Sequence, residues 1–407
     1  MDGIHESTLS LLEDDPAYED ALREILAVDA DGPWTFADVS IDSGRFGEIV
    51  SSGIVEKKNG TYSIVDRSAV ESALVGERSS ESPSSTDRAS VFAMIDRRIL
   101  MLLGGALLLL VGIRSLSLPA VFRGDDIVLL GNDPYYYRYW VESLNAQHGG
   151  FDFGALSSLP QEVALGEPLL IVVLWFWSAI LGGSAYVSGL VLALYPVIAS
   201  LIVGVAVYLT TTGVSNDRRV GVASVVMLAL IPVHAYRSGL GFADHHAFDY
   251  VWLALTILAV SRIEISHDST LEKISSQTTG WVLLLGISLT AQTLAWDASP
   301  LLLLPLGGYV ALAAGSYVNK GHSPFHRLAP TIAGIALGAV LCGFIHSVLN
   351  WQTTVVASAP AALVGGSVLV VSLSELAYRR DVSGTTVLLG EVVATVSIIG
   401  GLTQIGR

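Results

Sequence analysis

Past residue 98 the chain becomes a succession of apolar runs. They lie near 98–118, 168–183, 185–209, 220–236, 247–263, 279–295, 299–316, 328–349, 357–378 and 384–404. Most approach about 20 residues, the length a helix needs to cross about 30 Å of hydrocarbon. They lack the alternation of barrel strands, and backbone groups in lipid have to be satisfied within the segment. The runs therefore predict membrane helices rather than a barrel. Composition agrees: 52% of the 407 residues are hydrophobic and 14% are charged, too apolar for a soluble protein of this size.

The first 75 residues follow a different pattern. Ala17–Ala27 repeats with helical period, bringing Leu22, Ile25 and Leu26 to one side, and a second helix is predicted from Ser43 to Ser52, ending at Gly53. Residues 53–66 read as a hairpin, because Asn59-Gly60 suits a type I′ turn and β-branched residues flank it. Short helices followed by such a hairpin resemble a winged helix-turn-helix, so 1–75 is expected to be a small α+β domain. DNA binding would need a basic face. This stretch instead holds sixteen acids against five Lys or Arg, with Lys57 and Lys58 alone near the turn. The charge argues against DNA and for a protein-contact or regulatory module. Residues 76–95 read as a polar, flexible linker.

Direction follows from the basic loops, which favour the cytoplasm. Arg97-Arg98, Arg218-Arg219, Arg262 with Lys273, Lys320 with Arg327, and Arg379-Arg380 all fall inside only if one run between 98 and 209 fails to span. The run 168–183 is short and is closed by Gly182-Gly183-Ser184, so it is expected to be interfacial or re-entrant. The predicted fold of 96–407 is thus an α-helical polytopic bundle of nine spans plus an interfacial helix. Its outer loop covers 119–184 and its head is cytoplasmic. No signal peptide is expected, since the first 30 residues are acidic and lack an apolar core. The net charge of −15 and four lysines suggest a salt-rich, halophilic source. Cys342, the single cysteine, reads as a buried structural thiol.

Two outer segments hold the candidate chemistry. One is Gly131-Asn-Asp-Pro-Tyr-Tyr-Tyr-Arg-Tyr-Trp140, and the other runs from Tyr236-Arg237 to Asp244-His245-His246 and Asp249. Charge at the mouth of a membrane bundle is costly unless paired, hydrated or bound to metal. In an extended turn, Asp244 and His246 would face one side and chelate one ion, with Asp133 as a third ligand. Carboxylates with one imidazole suit Mg²⁺ or Mn²⁺, the latter tolerating nitrogen better. Arg237 beside such an ion suits a phosphate. The bland alternatives are an interfacial aromatic belt for the tyrosines, an ordinary polar loop for Asp-His-His, and an Arg138–Glu142 pair one helical turn apart.

Together the two segments resemble the catalytic subunit of archaeal oligosaccharyltransferases, membrane enzymes that move a lipid-linked glycan onto asparagine. The resemblance covers roughly 95–405. It implies that Asp133, Asp244 and His246 are metal ligands, with Asp133 catalytic, and that Arg237 faces the donor's phosphates. Arg138 matches the arginine after the first motif, His245 completes the Asp-His-His run, and Asp249 stands where the family usually has Glu. Leu294–Pro300 is weakly similar to a Trp-containing segment of the family. A non-spanning stretch in the first outer loop is implied as well. The family's Trp-Trp-Asp signature, which reads the acceptor, is absent, since Trp-Trp occurs nowhere. The soluble C-terminal domain and the large outer loop with its glutamate are also expected to be missing, as the sequence ends at Gln404-Ile-Gly-Arg407.

The expected function is a membrane glycosyltransferase that binds a dolichyl-phosphate-type lipid-linked oligosaccharide at a Mn²⁺ or Mg²⁺ site on the extracellular face. A partner chain would supply the acceptor side. The alternative is a non-catalytic regulatory or assembly subunit that keeps the lipid-glycan site. A transporter is a weaker reading, because the runs show no internal repeat or paired broken segments.

Overall fold

The computed structural model describes residues 2–14, 17–30, 32–58, 60–75, 97–268, 276–386, 388 and 390. It divides into two compact units, Met1–Met94 and Ile95–Arg407. The 76–95 linker and most of the run 384–404 lie outside the described residues.

In the first unit, helices α1 (Asp2–Asp14), α2 (Ala17–Asp29) and α3 (Ser43–Ser51) precede strands β1 (Val55–Lys58) and β2 (Thr61–Ile64), and α4 (Arg67–Val75) follows. The Asp42 side chain starts α3 by accepting from the Gly44 and Arg45 N–H groups. Gly53, at φ +79°, ends it. The strands are antiparallel, with Val55 opposite Ile64 and Lys58 opposite Thr61. That register leaves positions 59 and 60 as the turn, and Gly60 has φ +91°. Asn59 lies outside the described residues. Leu22, Ile25, Ile49, Ile54 and Val70 form the core, closed by Trp34 between Phe46 and Tyr62. Neither α1 nor α4 is signalled by a clear apolar stripe.

Among its described residues the regular structure of the second unit is helical apart from one short hairpin, Phe122–Arg123 with Asp126–Ile127. Its principal helices are α5 (Arg97–Arg114), α6 (Asp133–His148), α7 (Pro168–Ile180), α8 (Ala185–Ser215), α9 (Arg218–Leu230) and α10 (Pro232–Arg237). They continue as α11 (His245–Asp268), α12 (Ser276–Ala295), α13 (Pro300–Asn319), α14 (Pro324–Leu349) and α15 (Ala359–Arg379). Among the described residues six segments are long and apolar enough to cross a membrane. They are Arg97–Val121, Ala185–Ser215, Gln277–Ala295, Pro300–Asn319, Pro324–Leu349 and Thr354–Arg379. The run 168–183 folds as the 13-residue α7, about 20 Å long and short of the hydrocarbon thickness. The run 220–236 is cut by Pro232 into α9 and α10. The run 247–263 lies within α11, which also carries Asp249, Arg262 and Glu264.

Helix α11 packs between α8 and α12, and α12 packs on α14, which in turn meets α15. The α12–α14 contact depends on small residues. A Cβ at Gly334 would lie 2.7 Å from Leu285, and one at Gly338 would lie 3.0 Å from Leu289 and 3.2 Å from the Gly286 carbonyl. This is the Gly-xxx-Gly close approach that holds helices together where lipid removes the hydrophobic drive. At the other side, α6, α7 and α8 enclose a core of Tyr137, Val141, Leu144, Ile171, Leu174, Trp175 and Leu192. Asn145, Ser178 and Ser188 are hydrogen-bonded through it at 2.9 and 2.8 Å.

Candidate metal and phosphate site

The site begins with a broken helix. Pro232 has no N–H to continue α9, so carbonyls at its end are left over. The guanidinium of Arg114, only 1% exposed, takes them. It donates to the Ala229 and Leu228 carbonyls at 2.9 and 3.2 Å and to Ser238 Oγ at 2.8 Å, and lies 2.6 Å from His234 Nδ1. The segment after α10 is then fixed by its backbone. Leu240 N–H donates to the Arg114 carbonyl at 2.8 Å, and Gly241 N–H donates to that of Ala193 at 2.9 Å. Gly241 has φ +81°, and a Cβ there would come within 2.5 Å of Val121.

The same glycine joins the two outer segments. Its carbonyl accepts from Leu130 N–H at 2.9 Å. Phe242 stands 3.6 Å from where a Gly131 Cβ would be. The Gly131-Asn-Asp-Pro motif is therefore held against the segment that leads to Asp244. This adjacency was expected from topology, and the pinned loop supplies its cause.

Asp244 is 1% exposed and immediately precedes α11. His245 and His246 form the first turn of that helix, so the extended turn expected there is replaced by a helix start. The consequence is that His245 also faces Asp244. Its Nδ1 lies 2.8 Å from Asp244 Oδ1 and 3.1 Å from Glu167 Oε1. His246 Nε2 lies 3.6 Å from Asp244 Oδ2, and Arg237 donates to that same oxygen at 3.2 Å. The Tyr195 hydroxyl donates to the Asp244 carbonyl. The His245 ring stacks on Trp296, with centroids 5.0 Å apart and planes 15° apart. The Arg237 guanidinium sits over Phe242 and Tyr236 at 5.4 and 5.8 Å, a favourable cation–π arrangement.

Asp133 is the first residue of α6 and is exposed. It is outside the tight Asp244–His245–His246 group, although its charge acts on His246. Arg138 is turned away from the cluster. It pairs with Glu142 at 2.7 Å and donates to the Ile127 and Ala185 carbonyls at 3.0 and 3.2 Å. Asp249 is buried one turn beyond His245. Sequence reading did not single out Glu167 or Tyr195 as part of the site. Glu167 carried a usable signal, an acid directly ahead of Pro168 at the head of an apolar run. Trp296 lies in the segment with only weak family similarity.

The electrostatics separate the two imidazoles. Asp244, His245 and His246 all precede the apolar run 247–263. Burial disfavours charge on Asp244, but its contact with His245 and the charges of both histidines outweigh this, so the carboxyl titrates below its ordinary value. Burial likewise disfavours a charged His245. Asp244 and Glu167 outweigh it and push the ring up to about 10. His246 is held below its ordinary value by burial first; Asp244 opposes this, and His245 and Arg237 add to it. A neutral imidazole with a free lone pair is the form that binds metal.

The residues fit a divalent cation. Ligand atoms of Asp244, His245 and His246 lie within 4.8 Å of one another. His245 Nε2 is buried without a hydrogen-bond partner among the described residues, a condition that buried polar atoms rarely keep.

Fold and site define a multi-pass helical membrane protein with a carboxylate–imidazole cluster and an arginine at one mouth of its bundle. The family model for the N-terminal part of oligosaccharyl transferase STT3 matches residues 99–384, and the chain belongs to that family. Dolichyl-phosphooligosaccharide-protein glycotransferase 2 of Archaeoglobus fulgidus is 27% identical over 243 residues, covering 60% of this chain and 36% of that protein. Glycotransferase 3 of the same organism is 29% identical over 211 residues, 46% and 23% of the two chains. The chain thus spans about a third of the length of these curated relatives, or less.

Solved structures show the same fold. The archaeal oligosaccharyltransferase AglB from A. fulgidus, in complex with an inhibitory peptide and a dolichol-phosphate, superposes with a TM-score of 0.56 at 21% identity. The match covers 76% of this chain and 38% of that one. A crystal structure of the A. fulgidus oligosaccharyltransferase with Zn and sulfate gives 0.54 at 22% identity, over 74% and 40%.

Proposed function

We propose that this chain carries the donor side of an oligosaccharyltransferase site. It binds a polyprenyl-phosphate-linked glycan of the dolichyl type at a Mn²⁺ or Mg²⁺ centre, for transfer to an acceptor. The observation that carries this reading is the Asp244–His245–His246 cluster with Arg237 on the same carboxylate, in a chain of this family. The relatives act on dolichyl-phosphooligosaccharide by name, and one is described in complex with a dolichol-phosphate, another with Zn and sulfate.

Asp244 and His246 would hold the metal, with Asp133 completing the set from the adjoining segment. When bound, the metal offsets phosphate charge and polarises the acceptor. Arg237 supplies the planar fork suited to phosphate oxygens, and its stacking on Phe242 and Tyr236 fixes the plane of that fork. Glu167 and His245 brace Asp244 from behind. The acceptor side would come from a partner chain.

In this reading the bundle has nine spans, with the site on the extracellular face and the head in the cytoplasm. The head is a winged-helix-like module, and its acidity fits a protein contact in a salt-rich cytoplasm better than DNA. The test is retention of a labelled dolichyl-phosphate-linked glycan by the purified chain in nanodiscs, with and without Mn²⁺. Metal-dependent retention that is lost in Asp244→Ala and weakened in Arg237→Ala is expected. Equal retention with chelator, or by Asp244→Ala, refutes the proposal.

A further inference from the structure

His245 spends Nδ1 on Asp244 and Glu167. Its Nε2 is buried and has no hydrogen-bond partner among the described residues. Asp249 follows four residues later on the same face of α11, the spacing at which helical side chains meet. It is 3% exposed, its Oδ1 is equally unpartnered, and the His245 charge acts on it. The facing helix contributes a third such group. The stack of His245 on Trp296 sets the register between α11 and α12. One turn into the bundle from that stack, α11 presents Asp249 and α12 presents Gln292. Gln292 is fully buried, and neither its amide nitrogen nor its amide oxygen has a partner.

Four unpartnered polar atoms thus fall within one helical turn of the His245–Trp296 stack along the two helices. Leaving such buried atoms unpaired is strongly unfavourable, most of all for a carboxylate. Turning the Gln292 amide toward Asp249 would satisfy that pair and still leave His245 Nε2. A water molecule has two donors and two acceptors, and it can serve an imidazole nitrogen, a carboxylate oxygen and an amide together. Water can accept from a protonated Nε2 or donate to a bare one, so it fits either protonation state of the ring.

We propose that His245, Asp249 and Gln292 hold ordered water beneath the cluster. The water-bridged Asp249–Gln292 pair is a positioning network, which fixes the His245 ring and, through it, the Asp244 carboxylate. Its consequence for the metal rests on the donor-site reading above, whereas the network itself does not. Ser288 on α12 is also buried and unpartnered, but a helical serine can turn to the carbonyl four residues back, so it serves as the control.

The test uses ¹⁵N-histidine-labelled full chain in nanodiscs, with His245→Gln to assign the ring. An Nε2 proton on His245 that exchanges at least tenfold more slowly than that of exposed His322 is expected. It should shift in Asp249→Leu and Gln292→Leu, and stay unchanged in Ser288→Ala. Gln292→Met, close to glutamine in volume, takes the place of Gln292→Leu if that variant does not fold. In the same variants the Mn²⁺ Kd rises about 10–100-fold, the usual effect of losing a group that orients a metal ligand. The double Leu variant is no worse than the worse single one, because both act on one network. A freely exchanging wild-type proton, or resonances unmoved by both variants, overturns the network whatever the metal does. Fully additive losses in Mn²⁺ affinity overturn the coupling. Absence of Mn²⁺ binding by the wild type refutes the donor site instead, and the network is then judged on the histidine spectra.

Discussion

Replacing Arg114 by leucine tests how the segment between α10 and Asp244 is held. The substitution keeps an apolar side chain in the membrane helix and removes one guanidinium. It strips partners from the Leu228 and Ala229 carbonyls, from Ser238 Oγ and from His234 Nδ1. Interhelical hydrogen bonds in membranes average about 0.6 kcal/mol and reach about 1.7 kcal/mol. Four such contacts, two of them charge-assisted bonds to carbonyls, amount to about 3–4 kcal/mol. At about 2–4 °C per kcal/mol the unfolding midpoint drops by roughly 6–16 °C. Differential scanning fluorimetry in detergent reads this directly. Because Leu240 hangs from the Arg114 backbone, the Mn²⁺ affinity of the Asp244 cluster should fall in the same variant. Arg114→Lys keeps the charge but not the fork, and should recover less than half of the loss. A leucine variant that melts within about 2 °C of wild type, with unchanged Mn²⁺ affinity, would refute the account.

Further predictions follow from other contacts. Gly338→Leu drives a side chain into Leu289 and the Gly286 carbonyl; a loss of about 1–3 kcal/mol is expected, and an unchanged detergent melt would show that α12 and α14 are not tightly packed. Asp244→Asn should abolish Mn²⁺ binding measured by EPR, whereas Arg138→Gln should leave it intact, because Arg138 is committed to Glu142 and two backbone carbonyls. Trp34→Ala empties the centre of the head and should cost about 3–5 kcal/mol there, seen as faster proteolysis within residues 1–75 of the full chain and no change beyond residue 97. The acidic head should show no salt-sensitive DNA binding by fluorescence anisotropy, and a Kd of about 1 µM or below at physiological salt would contradict that expectation, lying at or beyond the tight end of ordinary non-specific binding of about 10⁻⁴–10⁻⁶ M.

Much of the fold was legible because lipid leaves so few options. Apolar length alone finds Ala185–Ser215, Pro300–Asn319 and Pro324–Leu349. The shortness of 168–183 reappears as the 13-residue α7. Hairpin register followed from Asn59-Gly60 and the residues beside it. What length could not supply was the break at Pro232, read as part of one continuous run although proline forbids it. In the site, Asp244 and His246 were legible as adjacent polar residues at a membrane mouth. Tyr195 was not, because it reaches the Asp244 backbone from a distant helix and is an ordinary residue in its own sequence neighbourhood; Glu167, an acid ahead of Pro168, carried a signal that only the fold ties to His245. Arg114 was hidden for the same reason: an arginine at the end of an apolar run looks like an interfacial anchor until its partners fold around it.

Those partners come late. Arg114 leaves the ribosome about 115 residues before the carbonyls of Leu228 and Ala229 that it will bind. At translation rates of about 5–20 residues per second, the guanidinium waits roughly 6–23 s before its acceptors exist. For that interval a single α5 carries an uncompensated cation at its end, where only interfacial water or lipid headgroups can solvate it. The segment that carries Arg237 and leads to Asp244 cannot take shape earlier, so the order of synthesis sets the moment at which the Asp244 cluster of this membrane protein is assembled.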